Sequence, residues 1–325
     1  MDSTNDKATV RKRIEMSLGR RALQVLSRIA LVLPDSSALG VGRTLGSLAY
    51  YGSRRYRTVA INNLTVVFGD TWDQSRIAST AREMFRQIGM NLIEFLRFPG
   101  VDPSRLDDII RIEGEEHVQE ALRHGRGILA ITSHYGNFEL FGAAFVHRGY
   151  KLSVIARNAD DEKTNDIING IRERMGYKVF PRQQAAFRSV MALRRNEVLG
   201  VLPDQNDLDG IFVPFFGRLA STTRGPAVMA IRTGAVVLPA FIHREPDNTH
   251  VVTVYPPLEY EANDDPEQSI YNLTLAINRA IETAILKHPE QWFWLHNRWK
   301  QRPPEDLAQA HVPTPVDTEG SLTAG

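Results

Sequence analysis

Cysteine is absent from this chain of 325 residues. Its absence excludes disulfide bonds, cysteine-ligated zinc, iron–sulfur clusters and a cysteine nucleophile. Long hydrophobic runs are missing from the N-terminal segment, where Arg28, Asp35 and Arg43 interrupt the apolar residues. A membrane span needs about 18 or more residues with few or no charges, so this pattern argues against a spanning helix. The start of the chain is polar and charged through Met16, and we expect no secretory signal.

Several catalytic and nucleotide-binding motifs are also lacking. The sequence contains no G-x-S-x-G nucleophile elbow and no Walker A loop. The glycine run at 40–46 misses the dinucleotide-binding spacing G-x-G-x-x-G by one residue, and the acidic run at 204–209 misses the spacing of a calcium loop. These absences leave a nucleophile-elbow hydrolase and a nucleotide-binding enzyme unsupported, and we expect no bound metal.

Charges of both signs are present in nearly equal number but are unevenly placed. The formal net charge is +1, yet residues 1–69 hold eleven Lys and Arg against four Asp and Glu, a balance of +7. Residues 70–325 hold 28 basic and 34 acidic residues, a balance of −6. Nucleic-acid binding needs a basic groove on the body of the protein. Because the body is acidic, we expect no nucleic-acid partner.

The basic N-terminal segment shows helical periodicity. Apolar residues recur at three- and four-residue steps over 18–33, Pro34 ends that pattern, and a second apolar stretch covers 38–52. Basic residues beside amphipathic helices favour an interface with anionic lipid, where each contributes on the order of 1 kcal/mol. A helical hairpin packed on the body accounts for the same pattern. We predict an N-terminal amphipathic membrane-binding arm over residues 1–69.

The rest of the chain alternates between short apolar strands and helices. After a helix predicted at 76–96, the pattern predicts strands at 127–132, 152–156, 178–180, 198–202 and 236–242, and helices at 138–146, 161–175, 185–195 and 267–286. Residues 250–255 alternate like an edge strand. This order indicates an α/β domain over 70–302, with a central, largely parallel sheet flanked by helices. Residues 303–325 contain four prolines and four acids without Lys or Arg, and we predict a disordered acidic tail.

The sharpest local feature is the string HYGNFE at 134–139, which follows the first predicted strand of the body. Ligands in open α/β sheets bind beyond the carboxyl ends of the strands, so His134 is placed for reaction. A tight loop at Gly136 would fold the carboxylate of Glu139 back onto the imidazole. We therefore predict His134 as a general base and Glu139 as its orienter, a pair that activates a substrate hydroxyl. The alternative is a polar loop histidine followed by a helix N-terminal acid.

The same string resembles a family signature. It is similar to the H-x4-D/E motif of glycerolipid acyltransferases and, as H-[FY]-G-N-[FW]-E, to the bacterial lipid A late acyltransferase family of lauroyl and myristoyl type, which also resembles the phosphatidylinositol mannoside acyltransferases. Further blocks follow in the order of that family: 54–68 near the N-terminus, then VIARN at 154–158, IRERMG at 171–176, LPDQN at 202–206, VPFFG at 213–217, ASTTRGP at 220–226 and WLHNRWK at 294–300. Asn206 and Asn297 depart from the usual Asp and Arg. The resemblance covers about residues 18–302.

The resemblance implies a glycerolipid acyltransferase-like fold and a specific reaction. A fatty acyl chain would pass from a thioester donor, acyl-carrier protein or alternatively acyl-CoA, to a hydroxyl of a membrane glycolipid such as a lipid A precursor, with no other cofactor. Because the chain has no cysteine, direct attack by the hydroxyl is the economical route, with His134 as base and Glu139 as orienter. The alternatives are an acyl-CoA-dependent transferase for another phospho-, glyco- or aminolipid, a thioester hydrolase and a non-catalytic lipid-binding protein.

Five further residues are candidates for substrate contact. Arg157 and Arg172 offer bidentate donors to phosphate or carboxylate groups. Asp204 follows a predicted strand and could orient an arginine or the acceptor hydroxyl. Thr223 and Arg224 precede a predicted helix whose free amides could bind an anion. Surface salt bridges for the arginines and ordinary N-capping for the threonine are the simpler explanations.

The same features predict partners and location. We expect a monomer bound to membrane lipids at the cytoplasmic face of the cell inner membrane. An acidic carrier protein would dock near the basic arm rather than on the acidic body. Aromatic residues at 212–216 fit an acyl channel, although core packing explains such clusters more often. Those at 292–299 fit a membrane interface or the edge of the core.

Overall fold

A computed structural model describes residues 3–156 and 161–305, with only the backbone described for residues 3–16, 18 and 162. The helices of these ranges are α1 Ser3–Val32, α2 Asp35–Gly52, α3 Arg54–Phe68, α4 Gln74–Arg97, α5 Leu106–Ile109, α6 Glu115–Arg123, α7 Phe138–His147, α8 Glu162–Arg174, α9 Ala185–Arg194, α10 Gly225–Thr233 and α11 Pro266–Lys287. The strands are β1 Ile110–Glu113, β2 Ile128–Ile131, β3 Leu152–Ala156, β4 Lys178–Pro181, β5 Val198–Val201, β6 Ile211–Phe215, β7 Arg218–Thr222, β8 Val236–Arg244 and β9 His250–Val254. From residue 306 onward, the predicted tail lies outside the described residues.

A seven-stranded sheet forms the centre of the molecule, in the order β1-β9-β8-β2-β5-β3-β4. Its neighbouring strands are parallel except for the antiparallel pair β8 and β9. Strands β6 and β7 form a separate antiparallel hairpin. The predicted α/β fold with a largely parallel central sheet is therefore confirmed.

Hydrophobic residues cover both faces of this sheet. In β2, Leu129 and Ile131 belong to one buried cluster with α3, α4 and α11, whereas Ile128 and Ala130 belong to a second cluster with α6, α7 and α8. Successive strand residues point to opposite faces, so a strand buried on both sides reads as an unbroken apolar run. This is why the central strands were the easiest elements to predict.

The predicted edge strand at 250–255 is not at an edge. Strand β9 lies between β8 and β1, and the short strand β1 covers its outer side through parallel pairing of Ile110–Glu113 with His250–Thr253. The two polar residues of this strand are His250 and Thr253: Thr253 is partly exposed, whereas His250 is fully buried and faces the carboxylate of Glu94. At His250, a buried polar partner rather than solvent accounts for the polar residue.

Helices α2 and α4 cross at unusually short distance because glycines meet there. A Cβ atom added at Gly89 of α4 would lie 2.1 Å from the backbone oxygen of Gly42, and one at Gly46 would lie 2.2 Å from the oxygen of Phe85. Side chains larger than hydrogen do not fit such a crossing. The glycine run of the N-terminal segment is thus a helix-packing element.

The N-terminal helices are attached to the body along their length. Leu64 and Phe68 of α3 are buried in the same cluster as the central strands, and Arg20 of α1 pairs with Asp161 before α8 at 3.3 Å. Among the described residues, no helix is long and apolar enough to cross a membrane. The predicted boundary at residue 69 between a membrane-binding arm and the α/β domain stays a prediction. Helix α3, which precedes that boundary, packs in the same core as the central strands.

Candidate active site

The site forms where two adjacent parallel strands end. Strand β2 ends at Ile131 and continues into the loop that carries His134, and β5 ends at Val201 shortly before Asp204. Because β2 and β5 are paired in register, their following loops emerge side by side at one edge of the sheet. This neighbourhood brings His134 and Asp204 into contact.

Asp204 holds the imidazole of His134 in one orientation. Its Oδ1 accepts a hydrogen bond from Nδ1 of His134 at 2.8 Å, and its Oδ2 accepts from the backbone N–H of His134 at 2.9 Å. The indole N–H of Trp292 donates to the same Oδ2 at 2.8 Å. The side chain of Asp204 is 1% exposed and that of His134 is 24% exposed, so the carboxylate is buried and the imidazole reaches the surface of a cleft.

The charges of this pair favour a role for His134 as a general base. Burial alone lowers the pKa of His134, but the Asp204 carboxylate outweighs it, and the pKa is raised above its ordinary value. For Asp204, burial raises the pKa and the histidine with the other donors outweighs it, so the pKa is lowered. An ionised Asp204 accepts a hydrogen bond from the protonated Nδ1, and the lone pair of Nε2 is then available for proton transfer.

Nε2 of His134 faces a large cleft. The amide nitrogen of Gln205 lies 3.3 Å from it, and the ring packs edge-on against Phe138. The cleft has a volume of about 740 Å³, and its lining includes Thr132, Tyr177 and Gly200 together with apolar side chains of α9 and α10. Space of this size suits a large organic substrate.

The predicted contact between Glu139 and His134 is wrong in this structure. Glu139 instead accepts hydrogen bonds from Arg172, Nε at 3.0 Å and Nη2 at 2.5 Å, and from the hydroxyl of Tyr177 at 2.7 Å. Its position in the first turn of α7 directs the carboxylate toward α8 and the start of β4, away from Nδ1 of His134. Asp204, predicted only as a substrate contact, takes the orienting position.

The other predicted substrate residues are divided by the structure. Arg172 and Thr223 line the same cleft as His134. Arg224 pairs with Glu267 at 2.6 Å on the surface, so the geometry gives no support to its predicted role. Arg157 lies outside the described residues.

Thr223 does not cap α10, because the N-cap position belongs to Arg224 and no side chain bonds there. The neighbouring Thr222 accepts a hydrogen bond from Nη2 of the buried Arg298 at 2.6 Å.

The aromatic residues near the end of the chain are core residues: Trp292 and Trp294 are 1% and 0% exposed. Phe215 and Phe216 are likewise buried, so core packing, rather than a channel or a membrane interface, explains these four side chains.

Three residues of the site were missed from the sequence. Gln205 touches Nε2 of His134, Tyr177 bonds to Glu139, and His296 accepts a hydrogen bond at Nε2 from the backbone N–H of Asn206 at 2.9 Å. Gln205 lies in the block LPDQN after a buried strand, and His296 lies in the block WLHNRWK near the chain end, so membership of these blocks was the available signal. Tyr177 had no comparable signal.

Comparison with known proteins gives one consistent result. The family described as bacterial lipid A biosynthesis acyltransferase matches residues 12–301. The lipid A biosynthesis lauroyltransferase of Escherichia coli (strain K12) is 28% identical over 279 residues, covering 85% of this chain and 88% of that protein. The palmitoleoyltransferase of lipid A biosynthesis from the same organism is 26% identical, covering 83% and 87%. The phosphatidylinositol mannoside acyltransferase of Mycolicibacterium smegmatis is 27% identical, covering 84% and 88%.

Proposed function

The chain belongs to the bacterial lipid A biosynthesis acyltransferase family, and from this premise we propose that it moves a fatty acyl chain from a thioester donor to a hydroxyl of a lipid A-like glycolipid. Family membership makes it an O-acyltransferase. His134 is the general base of the proposed reaction, and Asp204 orients it. The observation that carries this assignment is the hydrogen bond of 2.8 Å between His134 Nδ1 and Asp204 Oδ1 at the edge of the cleft.

The proposed reaction proceeds by direct attack. The acceptor hydroxyl binds where the amide of Gln205 now meets Nε2 of His134. Its oxygen attacks the thioester carbonyl carbon while Nε2 takes the hydroxyl proton, which forms a tetrahedral intermediate. When the carbon–sulfur bond breaks, the thiolate leaves and receives that proton from the imidazolium. General base catalysis of this kind contributes about 10²- to 10⁴-fold.

Buried Asp204 supports both halves of this cycle. Its negative charge stabilises the imidazolium that exists between the two proton transfers, and the bond to Nδ1 keeps Nε2 aimed at the cleft. A carboxylate with a lowered pKa remains ionised at neutral pH. The pair therefore stays ready for a new substrate after each turnover.

Glu139 acts through a different neighbour in this proposal. Together with Tyr177 it fixes the guanidinium of Arg172. Burial lowers the pKa of Arg172, but Glu139 and Tyr177 raise it by more, so the pKa is raised and the cation persists. A fixed cation in the cleft wall suits a phosphate or carboxylate of the acceptor or donor. Arg172 thus keeps its predicted role of anion binding.

The donor is proposed to be acyl-carrier protein or acyl-CoA, with no further cofactor and no metal. Both donors deliver the acyl group as a thioester and leave as a thiol, and both carry negative charge. The enzyme is proposed to act as a monomer at the cytoplasmic face of the inner membrane, where a glycolipid acceptor is available.

Helix α1 supports the proposed membrane contact. Leu23, Leu26 and Ala30 pack toward the body, whereas Val25 and Val32 on another face are 55% and 85% exposed. Ala22, Val25 and Ile29 of the apolar stripe that the sequence pattern indicates are exposed, whereas Leu33 of the same stripe packs inward. The exposed part of the stripe is the part that favours lipid as its partner. An exposed apolar face beside basic residues is typical of a helix that lies in the membrane interface.

The proposal is tested by initial rates of His134→Ala and wild type. Thiol release from the acyl donor is followed with and without acceptor lipid, and the melting temperature of both proteins is measured. Wild-type release should depend on the lipid, and His134→Ala should lose about 10²- to 10⁴-fold of that rate while melting as wild type does. Rapid lipid-independent release of free fatty acid would instead favour a thioester hydrolase, and equal rates would contradict the assignment of His134.

A further inference from the structure

The loop that carries His134 is held from several sides. The backbone oxygen of Gly136 accepts a hydrogen bond from Nδ2 of Asn91 at 2.7 Å, and its N–H donates to the oxygen of Gln291 at 2.9 Å. Asn137 Nδ2 donates to Glu94 Oε2 at 2.7 Å. Gly136 has φ +55°, and a Cβ there would lie 1.9 Å from the oxygen of Ile242, so the loop fits closely against β8. The contacts with Asn91 and Glu94 come from α4, whereas Gln291 and Phe293 hold the loop from the other side.

A buried ion pair anchors those two contacts. Arg244, the last residue of β8, is 2% exposed and binds Glu94 through Nη1 and Nη2, both at 2.6 Å. Its Nη2 also donates to Asn91 Oδ1 at 2.8 Å. His250 contributes a further contact to Glu94 at 3.0 Å. Burial raises the pKa of Glu94, but His250 and Arg244 lower it by more. The pKa is therefore well below its ordinary value, and the carboxylate stays ionised.

Each asparagine therefore bonds to the ion pair at one end and to the loop at the other. Asn91 accepts from Arg244 and donates to Gly136, while Asn137 belongs to the loop itself and donates to Glu94. The bond from Arg244 to Asn91 and the bond from Asn137 to Glu94 each have one charged partner, and such charge-assisted hydrogen bonds are stronger than neutral ones. Neither Glu94 nor Arg244 lines the cleft that His134 faces.

We propose that Asn91 and Asn137, fixed by the buried pair of Glu94 and Arg244, are positioning residues for the acyl transfer: they hold the 134–137 loop so that Nε2 of His134 faces the acceptor hydroxyl. The inference rests on the proposed function, because it assigns these residues to the reaction of His134. A displacement of about 1 Å in a catalytic group costs up to roughly 100-fold in rate. If the loop lost its contacts with α4, His134 would be displaced and the enzyme would turn over slowly.

Helix α4 supplies a matched control one turn before Asn91. Gln87 accepts a hydrogen bond from Nε of the same Arg244 at 3.0 Å, and both side chains are half-buried. Gln87 makes no hydrogen bond to the 134–137 loop among the described residues, whereas Asn91 does. Replacing each with leucine removes one partner of Arg244, but only Asn91→Leu also releases the loop.

The experiment compares Asn91→Leu, Gln87→Leu and Asn137→Ala with wild type. We expect kcat to fall about 10- to 100-fold in Asn91→Leu and Asn137→Ala, with KM changed less than threefold, and Gln87→Leu to keep kcat within threefold. Melting temperatures of Asn91→Leu and Gln87→Leu should fall by similar amounts. The pH profile adds a second readout: loosening the loop weakens the contact of His134 with Asp204, so the rising limb of kcat/KM should move to lower pH in the asparagine variants only.

Equal kcat in Asn91→Leu and wild type would overturn the inference, and so would equal losses in Asn91→Leu and Gln87→Leu, which would indicate general destabilisation. If Asn91→Leu does not fold, Asn137→Ala decides through the same split between kcat and KM. A failure of the proposed function would look different, because His134→Ala would then retain activity. Active Asn91→Leu with inactive His134→Ala would contradict this inference alone.

Discussion

Replacing Asp204 with asparagine changes charge and hydrogen-bond donors at the site while nearly preserving shape. In the structure, Oδ2 accepts from the His134 N–H and from Trp292 Nε1, and Oδ1 accepts from His134 Nδ1. The two donors at Oδ2 hold the amide oxygen of the variant there, so its NH₂ group faces Nδ1. Nδ1 must then accept, and the ring proton moves to Nε2, where the base needs its lone pair.

The size of the effect follows from this tautomer change. Loss of the correct tautomer in a comparable carboxylate–histidine pair lowers kcat roughly 10⁴-fold, which corresponds to about 5 kcal/mol of barrier. KM should change little, because Asp204 is 1% exposed. The direction of the pH effect is also fixed. The Asp204 carboxylate raises the pKa of His134, so its removal should shift the rising limb of kcat/KM to lower pH.

The assay follows acyl transfer to the lipid acceptor across the pH range, with Glu139→Gln as the comparison. Glu139→Gln weakens the contact with Arg172 but leaves the tautomer of His134 unchanged, so its pH limb should move less than that of Asp204→Asn. The reasoning is refuted if Asp204→Asn keeps more than about a tenth of the wild-type kcat. It is also refuted if Glu139→Gln moves the limb and Asp204→Asn does not.

Two further predictions concern the N-terminal helices. Serine at both Val25 and Val32 should reduce cosedimentation with anionic vesicles by at least about tenfold, because each exposed side chain contributes on the order of 1 kcal/mol of apolar burial. Phe187→Ser on α9, where the side chain is 76% exposed, should have little effect. Equal losses would count against α1 as the lipid contact. Gly89→Ala should destabilise the fold by about 1–3 kcal/mol, because its Cβ would lie 2.1 Å from a backbone oxygen of α2. Gly40→Ala has no atom within 4 Å of the new Cβ and should be neutral or stabilising in a denaturant titration; comparable destabilisation by both would disprove the close crossing.

Deleting residues 1–57 is a less informative test than these substitutions. The deletion removes α1 and α2 and uncovers the face of α4 that receives Gly42 and Gly46. A change in sedimentation would then mix lost lipid contact with lost folding. Single side-chain changes on the exposed face of α1 avoid that mixture.

The central strands were predictable because their burial leaves a direct trace in sequence. Strands β2 and β5 are buried at every position, and their apolar runs stood out. Strand β1 has only four residues, IRIE, with alternating burial, so its signal was too weak to detect. Its presence is what moves β9 away from the edge of the sheet.

The partner of His134 depended on strand order, which local patterns do not contain. Glu139 is five residues from His134 in sequence, whereas Asp204 is 70 residues away and arrives through the pairing of β2 with β5. Both carboxylates were identified as site candidates, and only their roles were exchanged. Strand neighbours would have been needed to assign them.

Buried polar residues gave the most misleading signals. His250, Arg244 and Arg298 are nearly or fully buried, and each has hydrogen-bond partners from distant parts of the chain. Their sequence neighbourhoods resemble ordinary surface positions. The ion pair of Glu94 and Arg244, which bonds to Asn91 and Asn137 beside His134, could not be predicted for that reason.

Mass spectrometry of the acceptor glycolipid tests the central claim most directly. Isolated glycolipid is incubated with an acyl donor and either wild-type protein or His134→Ala. The mass of the intact lipid is measured before and after the incubation. The account predicts that the lipid gains one ester-linked acyl group only with wild type and only when donor is present. An unchanged lipid with wild type, or the same gain with His134→Ala, would contradict it.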